Sequence, residues 1–214
     1  RAKGQLREGL RYVGSVPRIA IPLVMMGVVG CLTYEFQVTL PYMASHGLHS
    51  GASAFGFMTA AMGAGAVIWG LVVATKGKTG VVTLVLSCIA FGATMSFAAL
   101  APDLALELIA LALVGGASIA FMSQANATIQ LSAAPDMRGR VMSLWFIALQ
   151  GTTPIGGPIV GIVMSSFGAR AGLGLGAITC FVVAAGGALA LRALRVRRMA
   201  AVPVEPVADD AVIA

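Results

Sequence analysis

The side chain that most invites chemistry is Glu35, the single carboxylate inside a long apolar run, Ile19–Met43. If that run is a helix crossing a bilayer, Glu35 lies about 12 Å from its far end at 1.5 Å per residue. An ionised carboxylate at that depth is costly unless it faces a cavity or a partner. Spacings of four and seven put Thr39 and Tyr42 on the same helical face. Two readings stand open: a proton or cationic-substrate site on a cavity wall, or an interfacial carboxylate whose side chain reaches water.

Uncharged polar residues form the next constellation. Ser123, Asn126 and Gln130 share one helical face, and Gln124 and Thr128 share another. The first stripe can line a translocation path, or its amides can serve as hydrogen-bond partners between helices. Gln150, Thr152 and Thr153 flank Gly151 and Pro154. A proline removes a backbone donor and bends a helix, which suits either a moving gate or a static kink. Pro154, Gly157, Pro158 and Gly161 are the bending candidates. Asp136 with Arg138 and Arg140 can form a salt-bridge network at a gate, or can act as topology signals and headgroup contacts.

Other chemical groups point to no site. Asp103 and Glu107 fall at an expected helix start, where an acid suits the helix dipole. His46 and His49 have no cysteine or carboxylate cluster beside them, so no metal is expected. Gly77-Lys78-Thr79 ends like a phosphate loop, but the earlier glycine it requires is Val72. Gly172, Gly174 and Ala177 mimic a dinucleotide pattern within an apolar run and read as packing residues. The three cysteines, Cys31, Cys88 and Cys180, each lie in apolar runs, and an odd count argues against a disulfide framework. No cofactor is expected.

These residues must be positioned by membrane helices. Of 214 residues, 58% are hydrophobic and 10% charged, against roughly 25% charged in a soluble domain. Six apolar blocks are long enough to span a bilayer: Ile19–Met43, Ala54–Thr75, Val81–Leu100, Leu104–Leu131, Val141–Ser165 and Ala171–Leu194. The short connections predict that consecutive helices are antiparallel neighbours or close to it. The net charge of +6 is not a nucleic-acid signature, because the basic residues lie between the apolar blocks and aromatics are not interleaved with them. Of the 14 Lys and Arg residues, all but Arg170 fall on one side of six crossings. The positive-inside rule then places both termini in the cytoplasm. The chain begins at Arg1 without a signal-peptide core and reads as the fragment of a longer protein. Residues 1–18 read as a cytoplasmic interdomain loop, 19–195 as the six-helix domain and 196–214 as a disordered cytoplasmic tail.

Gly65, Gly70 and Gly77 are matched by Gly156, Gly161 and Gly168 at one constant offset. The first trio leads to a cytoplasmic loop and the second to an extracytoplasmic one, as a three-plus-three inverted repeat requires.

The run Pro135-Asp136-Met137-Arg138-Gly139-Arg140-Val141-Met142-Ser143-Leu144, followed by Pro154-Ile155-Gly156 and Gly161, resembles the major facilitator superfamily. More narrowly it resembles bacterial exporters of the enterobactin-exporter and macrolide-efflux branch. The opening Arg7-Glu8-Gly9-Leu10-Arg11-Tyr12-Val13 resembles the central cytoplasmic loop leading into the seventh helix of that branch. The resemblance covers nearly the whole chain. It implies an all-α integral membrane fold, with six transmembrane helices forming one half, a 3+3 inverted repeat, of a twelve-helix transporter. Gly70, Gly77 and Lys78 match the superfamily's glycine-and-basic loop motif, but its acidic position falls on Ala74 and its first basic position on Thr75, which weakens any charge relay there. Gly157-Pro158 with Gly161 resembles the Gly-Pro helix motif of antiporters and implies a packing and bending device.

The leading expectation is secondary active efflux by alternating access from the bacterial inner membrane. It is proton-driven, with sodium as the alternative ion, and Glu35 is the coupling candidate. The substrate implied is a small amphipathic molecule such as a siderophore or an antibiotic. The expected partners are the lipid bilayer, that substrate, the proton and an amino-terminal six-helix half. A self-contained six-helix pore or subunit, assembled from identical copies, is the competing class. An intramembrane enzyme has no catalytic cluster to support it.

Overall fold

The structure is a computed structural model that describes residues 2–48, 51–76 and 79–200. Its elements are α1 (Ala2–Ser15), α2 (Pro17–Leu32), α3 (Phe36–Tyr42), a π-helical turn at Met43–Gly47, α4 (Ala52–Lys76), α5 (Val81–Leu100), α6 (Leu104–Ser132), α7 (Arg138–Gln150), α8 (Thr153–Phe167) and α9 (Arg170–Ala200). No strand occurs among the described residues. By length and composition six segments can cross a bilayer: Pro17–Gly47, Ala52–Val73, Val81–Leu100, Leu104–Ser132, Arg138–Phe167 and Arg170–Leu194. This is the all-α, six-span architecture expected.

The ends differ from the expected boundaries. The opening segment is the helix α1, with Gly9 and Val13 buried and Arg7, Leu10 and Arg11 exposed. Val16 is extended at φ −119° and ψ 90°, because the following Pro17 disfavours helical geometry in the residue before it. At the other end α9 continues to Ala200, so residues 196–200 of the expected disordered tail are helical. The remainder of that tail, 201–214, and the loop candidates Gly77 and Lys78 lie outside the described residues.

Two of the six spans are interrupted. The first breaks at Thr33–Glu35, between α2 and α3. The fifth breaks at Gly151–Thr152, between α7 and α8. Proline explains the second break: Pro154 has no N–H to offer the Gln150 carbonyl, so the ladder stops and restarts on Thr152, whose carbonyl accepts from Gly156 N at 2.9 Å. No proline sits at the first break. There the Tyr34 amide bonds back to Val29 O at 3.3 Å, a widened turn that lets the chain leave the helix.

Packing does not follow sequence order. Among the spans, α4 packs chiefly on α6 and α5 on α9, while α2 runs through the middle against α6, α7, α8 and α9. Consecutive α4 and α5 are thus near each other through α6 rather than in extensive contact, because small residues on α6 accept α4 more closely. A Cβ on Gly65 would overlap the Ala112 carbonyl, and one on Gly115 would overlap that of Met62. In lipid, where no hydrophobic gain separates one apolar contact from another, close backbone approach decides such pairings. The core lies between α2, α5, α6 and α9, with Met26, Leu84, Phe91, Leu111 and Phe121 fully enclosed. The second and fifth spans are peripheral: only 11% of each apolar window is buried.

Candidate functional site

The two interruptions lie side by side. The Cys31 thiol donates to the Thr152 carbonyl at 3.8 Å, and a Cβ on Gly30 would come within 2.8 Å of the Ala148 carbonyl. Each residue of the first break is held by a different helix. Thr33 Oγ1 donates to Gly176 O on α9 at 3.3 Å. Tyr34 Oη donates to Ser118 O on α6 at 2.7 Å, with its ring edge-on to Phe36 and Phe91. Glu35 turns to α8. These three anchors, rather than any helix-breaking residue type, account for the bend at 33–35.

Glu35 is only 3% exposed. Its carboxylate lies against the bare backbone of Gly156 and Gly157, whose added Cβ atoms would sit 2.8 Å from Oε1 and 3.5 Å from Oε2. The Thr153 hydroxyl faces the carboxylate, while Oε1 is buried without a hydrogen-bond partner. The interfacial reading, a side chain that reaches water, therefore does not hold. A carboxyl so placed is stable as the neutral acid or beside a cation.

The expected face-mates each have a partner of their own. Thr39 stays with Glu35: its amide and its hydroxyl both donate to Glu35 O, at 2.9 and 3.0 Å. Tyr42 stacks on His46, with ring centroids 4.2 Å apart. Glu35 caps α3 and Tyr42 ends it, so the spacing of four and seven holds along one helix.

The polar stripe on α6 opens onto a cavity of about 590 Å³. Ser123, Asn126 and Gln130 line it together with Met122, Trp145 and Phe146. Gln130 donates to Asn126 within the stripe. The lining holds no charged group. On the other face Thr128 donates to Gln124 O at 2.6 Å. Gln150 and Thr153 are exposed at the interruption of the fifth span. Of the bending candidates, Gly157 is at the contact with Glu35, and Pro154 opens α8. Pro158 lies inside α8, and Gly161 has open space where a Cβ would be.

At the end of the bundle carrying α1, the charged cluster is arranged differently from the expectation. Arg140 Nη1 pairs with Glu8 Oε1 at 2.8 Å and also meets Met137 Sδ at 3.1 Å. Asp136 and Arg138 are exposed, and neither makes an ion pair with a described residue. The expected Asp136 pairing with Arg140 is replaced because α1 docks on α7 and delivers Glu8. Tyr12 Oη also accepts from Ala134 N at 3.0 Å. Sequence reasoning missed Glu8, whose signal was an acid within a basic amphipathic helix. Glu107 lies in the first turn of α6 as expected, but its burial was not anticipated: it is 0% exposed with both carboxylate oxygens unpartnered.

A bundle of six apolar spans, two of them interrupted around a buried carboxylate and flanked by a polar-lined cavity, defines a membrane transporter domain. The family model described as transmembrane secretion effector matches residues 1–211. The chain belongs to that family, of major facilitator type. No curated protein and no solved structure matches it.

Proposed function

We propose that the chain is one half of a proton-coupled efflux transporter, pairing with a second six-helix half across the faces of its peripheral spans. The observation that carries this reading is Glu35, a buried carboxylate with a free oxygen at the meeting point of two interrupted spans. Discontinuous helices create ion and substrate sites because unwound backbone and half-helix ends supply the contacts. In this reading Glu35 takes up and releases the coupling proton, or sodium in its place. The cavity beside Asn126 and Gln130 receives the small amphipathic substrate, and the cluster around Arg140 closes the cytoplasmic side. The basic residues bordering the spans support cytoplasmic termini in a bacterial inner membrane. The poor burial of the second and fifth spans, each the middle member of one set of three, supports both the inverted repeat and a partner half.

The test uses the full-length protein in liposomes. Glu35→Gln, which keeps shape and removes titration, is expected to flatten the pH dependence of substrate efflux. Retained pH-dependent efflux in that variant refutes the coupling role. Single cysteines at Glu8 and Ser166 are expected to label from opposite sides of the membrane; labelling from one side refutes the topology.

A further inference from the structure

Glu107 is the most thoroughly enclosed charge-bearing group among the described residues, and nothing in the Glu35 site uses it. It belongs to the first turn of α6, at the end of the bundle opposite α1. A carboxylate serving the helix dipole would be solvated or would cap backbone amides. Asp103 does the latter, its Oδ1 accepting from Leu106 N at 2.9 Å. Glu107 does neither: it is 0% exposed, and neither Oε1 nor Oε2 has a partner.

The groups around it are few. The helices packed on α6 are α2, α4, α5 and α7. Within its span α4 carries no titratable side chain, and α5 carries only Cys88. On α2 and α7 the charged groups are Arg18, Arg138 and Arg140, all at the opposite end of the bundle. On its own helix the neighbouring acid is Asp103, already occupied as a cap. In the turn before α4, His46 is engaged by Tyr42 and by Ser45 Oγ at 2.8 Å. Among the described residues the cation at this end of α6 is Arg170, at the start of α9, which contacts Pro102, two residues before the helix begins. Arg170 is also the only Lys or Arg that six crossings place on that side. In this conformation its guanidinium is turned elsewhere, with Nη2 donating to Pro102 O at 3.4 Å. That contact is at the long limit for a hydrogen bond, on a side chain that is otherwise exposed.

A buried acid without donors and a weakly held cation at the same helix end are the parts of a pair with two alternative arrangements. With the proton on Glu107, the group is neutral and needs no partner. When the proton leaves to water at that end of the bundle, the carboxylate needs a cation, and Arg170 can exchange the Pro102 carbonyl for it. Movement of Arg170 pulls on the start of α9, which packs along α5 and α2. We propose that Glu107 is a second proton-binding site, which releases its proton as Arg170 moves from Pro102 onto the carboxylate. It is separate from Glu35 and does not rest on the assignment of that residue as the coupling group.

Infrared difference spectroscopy of the full-length protein in liposomes, between acid and alkaline buffer, reads this directly and needs no substrate. The wild type is expected to lose a protonated-carboxyl C=O band on going alkaline. Glu107→Gln is expected to remove that component and to leave the component removed by Glu35→Gln. Arg170→Gln keeps the acid and removes its cation, and is expected to abolish loss of the Glu107 component over the range in which the wild type loses it. Arg170 is exposed, so this variant is readable even where Glu107→Gln folds poorly. An Arg170→Gln spectrum identical to the wild type, or an unchanged carboxyl band in folded Glu107→Gln, overturns the proposal.

Discussion

The carboxylate of Glu35 rests on the backbone of Gly156, so closely that a methyl group on residue 156 would lie 2.8 Å from Oε1 and overlap the Cys31 carbonyl. The absent side chain at 156 is therefore what lets the two interrupted spans meet.

Gly156→Ala is expected to destabilise the domain by roughly 1–3 kcal/mol through overpacking, and to impair transport with it. Gly161→Ala, further along α8 and facing open space, is expected to stay within about 1 kcal/mol of the wild type, since helix propensity favours alanine. Thermal unfolding in detergent compares the two; equal midpoints would show that the contact at Gly156 is not tight.

The pairing of α4 with α6 leads to a parallel expectation. Gly65→Ala and Gly115→Ala each force a methyl group into a facing carbonyl and are expected to cost roughly 1–3 kcal/mol. Gly63→Ala, with nothing within 4 Å, is the control on the same helix. Loss of stability in the control as great as in the two variants would count against close α4–α6 packing.

The Glu8–Arg140 pair is about 35–47% exposed at its two side chains, so solvent screens it. A double-mutant cycle with Glu8→Gln and Arg140→Gln is expected to give a coupling of about 0.2–1 kcal/mol that fades in 1 M salt, where the screening length falls to about 3 Å. Coupling that persists undiminished in salt would indicate a buried pair instead.

In the cavity beside α6, Asn126→Leu removes an amide from an uncharged lining and leaves Gln130 without its acceptor. Substrate affinity is expected to fall roughly 3- to 10-fold, the scale of one hydrogen bond, with the unfolding midpoint little changed. A substrate-binding titration checks this; unchanged affinity removes Asn126 from the path.

Much of the architecture was readable from the chain alone. Six apolar runs separated by short polar connections specify six crossings, because each run must hide its backbone polar groups from lipid within its own helix. Pro154 announced the interruption of the fifth span, since a missing amide proton is a local property. The matched glycine trios are a mixed case. Gly65 and Gly156 both mark close crossings, but Gly70 and Gly161 do not behave alike, with a neighbour at 3.9 Å beside the first and none beside the second.

Other features depend on the assembled bundle. The break at Thr33–Glu35 has no local cause and is held by acceptors on α6 and α9 and by bare glycine backbone on α8, all distant in sequence. For the same reason Arg140 found Glu8 rather than Asp136. Residue type and spacing told which groups were chemically able and where chain segments must enter lipid, because those are properties of single segments. Which carboxylates lost their water, Glu35 and Glu107 alike, was decided only when helices closed around them, because burial is a property of neighbours.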